Sequence, residues 1–246
     1  MPKFYDSISP DLQQWALAQP LFFISSAPTS GAHINLSPKG LPSTTFTIFS
    51  PTSCGYIDAT GSGAETIAHL YENRRATIMF CSFGISPRIM RFFCTGRVVE
   101  WDAPEFQHLL AKMGKAHVDG ARAVLVFDIF KVQTSCGYGV PKISLPLELS
   151  GDASPEEAFE DRKTLGHFAE KKCAANEMGA YQLKNNLRSL DKLPGLRSAR
   201  RDSGQVMLLE DGMAFLRRVW GQREALGFGV LIGIVVMMFV NLGLGF

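Results

Sequence analysis

The residues best suited to chemistry in this sequence form a short glycine-rich run, Thr60-Gly61-Ser62-Gly63, which leads into a segment with helical spacing. Backbone N–H groups at the start of a helix point at an incoming anion, and the helix dipole favours negative charge there. The glycines allow a ligand to approach the backbone closely, while Thr60, Ser62 and Thr66 add hydroxyl donors. Lys39 is a candidate cation for the same anion. These residue types predict a phosphate-binding turn, with a plain helix N-cap as the alternative.

Several other kinds of chemistry are disfavoured by spacing. The glycine run lacks the Gly-Lys-Ser/Thr ending of a P-loop and does not match the dinucleotide fingerprint. The five histidines show no metal-ligand spacing with carboxylates, and no Gly-x-Ser-x-Gly elbow occurs. The five cysteines are odd in number and form no Cys-x-x-Cys pair, so reduced thiols fit better than disulfides or zinc. We therefore predict no metal site, and the residues identify no catalytic group.

Composition sets the broad class of the chain. It has 246 residues, of which 46% are apolar and 20% charged, close to ordinary globular usage. The net charge of +2 gives no reason to expect a nucleic-acid partner. The N-terminus shows no apolar stretch of the kind found in signal peptides.

The elements that must position the glycine run are mostly strands. Strands are predicted from alternating apolar residues and from β-branched or aromatic content at Leu21–Ser26, His33–Leu36, Thr44–Phe49, Cys54–Ala59, Thr77–Ser82, Arg88–Trp101 and Ala121–Val132. A break is predicted at Ser37–Gly40. Short helices are predicted at Asp11–Gln19, Ala64–Asn73 and Pro104–Lys115. Because alternating βαβ units are absent, the pattern predicts a mainly β fold, a small antiparallel barrel with peripheral helices.

Four segments follow from these patterns. Residues 1–150 are the barrel domain, and residues 151–204 are a helical extension that ends in a polar, basic linker at Ser198–Gly204. Residues 205–225 form a juxtamembrane segment. Residues 226–246 are predicted as one transmembrane helix.

The C-terminal segment is the strongest compositional feature of the chain. No charged residue occurs from Ala225 to Phe246, and a spanning helix needs roughly 20 apolar residues. Arg217, Arg218 and Arg223 precede it, so the positive-inside rule places the N-terminal body in the cytosol. This predicts a single-pass anchor in a lipid bilayer, and a buried core helix is the alternative.

Linked motifs along residues 1 to 200 resemble one family, the pyridoxamine 5′-phosphate oxidase-like, FMN-binding split β-barrel proteins. The motifs that carry the resemblance are Phe22–Ala27, Asn35–Gly40, Tyr56–Gly63, Glu65–Thr66, His69–Leu70, Glu72–Asn73, Met79–Cys81, Arg88–Arg91, Gly96–Val99, Gln133–Pro141, Ser189–Asp191 and Leu193–Leu196. The C-terminal apolar segment lies outside the resemblance.

The resemblance implies a Greek-key split barrel, a homodimer, and FMN in the cleft between two subunits. It implies that Lys39 meets the flavin phosphate at the end of an early strand. It further implies that the turn and helix start, with Thr60, Gly61, Ser62 and Thr66, cradle that phosphate. Arg91 falls near the place where a polar side chain faces the isoalloxazine ring.

The sequence also departs from the family pattern. Where the oxidase carries Ser-Arg-Lys at the helix start, this chain reads Ala64-Glu65-Thr66, which places a carboxylate beside the expected phosphate. The Trp and Arg near the oxidase's C-terminus have no clear counterpart, so oxidation of pyridoxamine phosphate is not predicted. The resulting expectation is a membrane-anchored FMN-dependent oxidoreductase whose substrate the sequence does not name. A redox-inactive, membrane-tethered dimeric binding module is the alternative, and haem or a deazaflavin in the same cleft is a third possibility.

Overall fold

The computed structural model describes residues 2–115, 120–143, 159–160 and 162–241. The strands are β1 Lys3–Tyr5, β2 Leu21–Ser26, β3 Asn35–Gly40, β4 Phe46–Ser50, β5 Ser53–Ala59, β6 Arg75–Cys81, β7 Ile89–Glu100, β8 Ala121–Ser135, β9 Lys142–Ile143 and β10 Phe159–Glu160. The helices are α1 Pro10–Leu17, α2 Pro42–Thr45, α3 Glu65–Asn73, α4 Phe106–Met113, α5 Thr164–Ala174, α6 Met178–Asn185, α7 Arg197–Asp202, α8 Met207–Gly221 and α9 Arg223–Asn241.

The main sheet is antiparallel throughout and runs in the order β3-β2-β6-β7-β8-β5-β4, with β1 paired to β8. Strands β6, β7 and β8 follow one another as neighbours, and β5 returns beside β8. This is the Greek-key arrangement. The prediction of a mainly β, antiparallel Greek-key barrel is confirmed.

A short connection forces the sheet to curl. Strands β3 and β4 lie at opposite edges of the sheet, yet only residues 41–45 join them. Since each residue spans at most about 3.6 Å, a flat seven-stranded sheet would be far too wide for this link. The sheet therefore rolls into a barrel that is split between its two edge strands.

The concave face of the rolled sheet encloses an aromatic core. The Phe22 ring, which is fully buried, lies 5.0 Å from Phe46, 5.5 Å from Tyr56 and 5.7 Å from Phe80, measured between ring centroids. Inward residues alternate along each strand, so β2 buries Phe22 and Ile24. A second cluster packs α4 against the convex side of the sheet, with Phe106, Leu109 and Met113 meeting Ile57, Val99 and Val124.

One predicted break is instead a strand. Ser37–Gly40 completes β3, although it contains a proline. Among the described strands, β3 is an edge strand whose one neighbour is β2, so Pro38 needs no N–H for a second neighbour. The edge position, which the sequence does not reveal, explains the error.

The chain divides into two compact units, Met1–Leu165 and Gly166–Phe246. In the second unit, the stretch predicted as a linker is helix α7, Arg197–Asp202. The Arg200 side chain of α7 is buried and donates a hydrogen bond to Asp211, which explains why a basic stretch is ordered here. The start of the predicted helical extension, residues 151–158, lies outside the described residues.

The C-terminal prediction needs correction. Within the described residues, no single helix has both the length and the apolar character required to cross a bilayer. Helices α8 and α9 meet those two criteria as a pair, with a 63° bend between Met207–Gly221 and Ala225–Phe239. The described part of the segment predicted as a transmembrane helix, residues 226–241, is helical within α9 but does not meet those criteria by itself, and residues 242–246 lie outside the described residues.

The aromatic core predicts a large penalty for its truncation. Phe22→Ala should lower the free energy of unfolding by about 3–5 kcal/mol, because it removes a fully buried ring and leaves a cavity. Urea denaturation measures the change, followed by tryptophan fluorescence in a Trp101→Phe/Trp220→Phe background that leaves only Trp15, which packs against this core. Phe130→Ala is the matched control, since that ring is 61% exposed. Equal costs for the two variants would contradict the core assignment.

Candidate functional site

The predicted phosphate turn connects β5 to α3, but one of its hydroxyls is already bound. Thr60 donates both its backbone N–H and its Oγ1 to the carbonyl of Gly120, at 2.7 and 2.8 Å. Gly61 is exposed, and a Cβ at that position would meet no atom within 4 Å. Ser62 is also exposed. The turn is open to a ligand, whereas the Thr60 hydroxyl ties it to the start of β8.

Helix α3 begins without a side-chain cap. Its N-cap residue is Ala64, which accepts no N–H through a side chain. The backbone N–H groups of the first turn are therefore free of a capping side chain, and the positive end of the helix dipole faces the turn. Glu65 is exposed and its carboxylate folds back to Gly63, where a Cβ would collide with it.

A buried ion cluster lies below this turn. The Asp58 carboxylate, 2% exposed, contacts Lys39 Nζ at 3.0 Å and Arg122 Nε at 2.8 Å. Arg122 also donates to the carbonyl of Gly63 at 2.7 Å, which ties the cluster to the turn. We call Asp58, Lys39 and Arg122 the Asp58 cluster. It holds two cations and one carboxylate, and both cations keep about a quarter of their side-chain surface exposed.

Arg122 is the residue that sequence reasoning missed. In the β5–β8 ladder, Asp58 pairs with Ala123 and Ala59 with Ala121, which leaves Arg122 as the extra residue of a β-bulge. A bulge turns its side chain away from the regular alternation of the strand. It therefore reaches Asp58, which is 64 positions earlier in the chain. No local pattern in the sequence marks this bulge.

A polar network connects β2, β3 and α3 beside the cluster. Asn35 Nδ2 donates to Thr66 Oγ1 at 2.9 Å, and Ser37 donates to Asn35 Oδ1 at 3.0 Å. Ser26 Oγ and His69 Nδ1 are 2.9 Å apart. Thr66 was predicted as a donor to an anion, and in the structure its hydroxyl oxygen accepts a hydrogen bond from Asn35.

Tyr56 lies at the base of this network with a buried hydroxyl. Within the described chain, that hydroxyl makes no hydrogen bond of acceptable geometry. Burial raises the pKa of Tyr56 well above its usual value, and the Asp58 charge raises it further. The neighbouring Thr66 hydroxyl and the Arg122 charge lower this pKa by smaller amounts. Tyr56 therefore stays a neutral phenol at physiological pH, with Lys39 Nζ 5.5 Å from its ring centroid.

Arg91 does not join this group of residues. It lies on β7 between the buried Met90 and Phe92, so its side chain points to the convex face, where it donates to Gln133 Oε1 at 3.4 Å. Lys39 shares a rung with Phe22 and faces the concave side. The structure thus brings Lys39 and the α3 start together, and it places Arg91 on the opposite face of the sheet.

The chain is similar to proteins of one known family. The family model described as pyridoxamine 5′-phosphate oxidase matches residues 8–136. A curated relative, the pyridoxamine 5′-phosphate oxidase family protein ustO from Aspergillus flavus, is 54% identical over 207 residues, covering 84% of this chain and 83% of the relative.

The solved structures that resemble this chain include the following two. HupZ from Group A Streptococcus, in its H111A variant, has a TM-score of 0.39 at 16% identity, covering 52% of this chain and 99% of that one. An FMN-binding protein from Syntrophomonas wolfei has a TM-score of 0.38 at 14% identity, covering 50% and 84%.

The Asp58 cluster generates a stability prediction. Asp58→Asn should cost about 1–3 kcal/mol of unfolding free energy, because the amide carries no charge to balance the two cations and only its oxygen can accept one of their two hydrogen bonds. Chemical denaturation of the full chain measures it. Glu105→Gln, which breaks the exposed pair with Arg97, is the control and should cost no more than about 1 kcal/mol. A negligible cost at Asp58 would show that the cluster does not stabilise the barrel.

Proposed function

Because this chain belongs to the pyridoxamine 5′-phosphate oxidase family, we propose that it binds FMN and acts as a membrane-attached, FMN-dependent oxidoreductase. The observation that carries the proposal is the Asp58 cluster beside the uncapped start of α3. Two cations share one buried carboxylate there, so one positive charge remains beside free backbone N–H groups. That combination suits a phosphate dianion.

Within one barrel, the residues proposed to hold FMN surround its phosphate. Lys39 and Arg122 provide positive charge for the phosphate, and the backbone of the Gly61–Gly63 turn and the α3 start provide N–H donors. Ser62 and Thr66 add hydroxyls. A bound flavin supplies the capacity to accept and release electrons, and the chain binds and orients it.

We propose that the active form is a homodimer. Arg91 faces the convex side of the sheet and Lys39 the concave side, so one barrel does not present both to the same ligand. A second copy can bring its own Arg91 and Gln133 towards the first copy's phosphate turn. This arrangement would place all six sequence-predicted residues around one cleft: Lys39, Thr60, Gly61, Ser62, Thr66 and Arg91. Thr60 then shapes the turn through Gly120 and makes no direct contact with the ligand.

One observation favours the redox-inactive binding module as a second candidate. Glu65 places an exposed carboxylate against Gly63, at the position where a phosphate would approach the α3 start. A like charge there opposes anion binding. Water screens an exposed carboxylate and the side chain can turn away, so we rank flavin binding first.

The first prediction concerns the cofactor itself. The full-length chain in mild detergent should bind added FMN, seen as quenched flavin fluorescence and a perturbed visible band. Lys39→Ala should weaken binding by roughly tenfold or more, because it removes a charge-assisted contact. Lys115→Ala is the control, since that lysine donates to the Ser43 carbonyl. A bound chromophore with a haem or deazaflavin spectrum, or no binding at all, would contradict FMN as the cofactor.

Glu65 variants separate the two candidate functions. Glu65→Lys should tighten FMN binding several-fold over the native chain, and Glu65→Gln should have a smaller effect in the same direction. If FMN binds only to the lysine variant, the native protein is the redox-inactive module.

Membrane attachment is proposed from the C-terminal helix. Residues 225–246 carry no charge, and the described apolar side chains of α9 are exposed, including Phe228, Val230 and Met237. With three arginines preceding it, the proposed orientation places the N-terminal body in the cytosol.

Deletion of residues 226–246 tests the attachment. The native chain should float with phosphatidylcholine vesicles in a density gradient, and the shortened chain should stay at the bottom, because the deletion removes the apolar helix. Flotation of the shortened chain to the same extent would refute attachment through this segment.

A further inference from the structure

Helix α8 is amphipathic in an unusual orientation, since its polar face is the one attached to the protein. Glu210 accepts a hydrogen bond from Arg188 at 2.6 Å, and Asp211 accepts one from Arg200 at 2.7 Å. Further along the helix, Arg217 donates to the backbone carbonyls of Asp191 and Lys192 at 3.3 and 3.4 Å. These contacts fix one side of α8 to helix α7 and to the segment between α6 and α7.

The face of α8 next to these contacts carries an apolar stripe. Leu209, Met213, Leu216 and Trp220 are spaced by four, three and four positions, so they lie in one line along the helix. Their exposed fractions are 64%, 51%, 64% and 71%. A surface helix usually turns such a stripe towards a core, whereas this one stays exposed among the described residues and is therefore able to meet an apolar partner.

The neighbouring helix indicates which partner covers the stripe. The apolar stripe ends at Trp220, directly before the bend into α9. Helix α9 is the helix proposed above to enter the bilayer, and it is free of charged residues from Ala225 onward. Tryptophan favours the membrane–water interface, because its ring has an apolar body and a polar N–H group. A helix that lies in the interface must bend before the next one enters the hydrocarbon, and the observed bend is 63°.

We propose that α8 lies in the plane of the membrane surface, with the Leu209–Trp220 stripe sunk into the boundary between headgroups and acyl chains. The proposal rests on the membrane attachment of the preceding section and adds the orientation of the second unit on the lipid. The acidic residues Glu210 and Asp211 then face the protein, away from the lipid. The bilayer contact thus has two parts, an in-plane helix and an inserted one.

Depth-dependent quenching of tryptophan by brominated lipids tests this directly. The chain has Trp15, Trp101 and Trp220, so a Trp15→Phe/Trp101→Phe variant reports on Trp220 alone. It is reconstituted in phosphatidylcholine vesicles brominated near either end of the acyl chain. Bromine close to the headgroup should quench Trp220 roughly twofold more than bromine near the chain end, since an interfacial helix sits about 5–10 Å into the boundary.

A second variant distinguishes failure of this proposal from failure of the anchor. Phe228→Trp, with the three native tryptophans changed to Phe, reports on α9 and should be quenched best by the deeper bromine. Quenching at position 228 without quenching at Trp220 would overturn the in-plane helix and leave the anchor intact. Such a result would assign the stripe to a second copy or another protein. Deep quenching at both positions would mean one continuous inserted segment, and no quenching at either would remove the anchor and this proposal together.

Discussion

The five-residue connection between β3 and β4 is the constraint on which the barrel depends. It joins the two outer edges of a seven-stranded sheet, so the sheet cannot lie flat. Rolling the sheet encloses the aromatic core around Phe22 and brings the edge residue Lys39 within 3.0 Å of Asp58 on a strand far away in the sheet. The candidate site is therefore a consequence of closure, and it forms only when the core does.

Electrostatics then decides what that site can hold. A buried carboxylate without partners is costly, so Asp58 needs Lys39 and Arg122 for the fold itself. Those two cations carry one charge more than Asp58 neutralises, and they remain partly exposed beside a helix start that lacks a cap. The same cluster thus stabilises the native barrel and leaves positive potential where a phosphate is proposed to bind. Glu65 opposes that potential from the solvent side of the turn.

Much of the barrel follows from the sequence because its strands are half buried and alternate regularly. Leu21–Ser26 has the predicted bounds, and α3 starts one residue after the predicted start. The missed features depend on tertiary context. Pro38 is tolerated because β3 is an edge, Arg122 is redirected by a bulge, and α7 is ordered by an ion pair with the next helix. Lys39 and Arg91 likewise lie on opposite faces of the sheet because of the strand register, which local motifs do not encode.

The central claim is that the Asp58 cluster and the α3 start hold the phosphate of a flavin, and the contribution of that phosphate can be measured. Isothermal titration of the full-length chain with FMN and with riboflavin, which lacks the phosphate, compares the two affinities under one condition. The account predicts that FMN binds at least roughly tenfold more tightly, as expected for charge-assisted hydrogen bonds to a dianion. Equal affinities for FMN and riboflavin would contradict it.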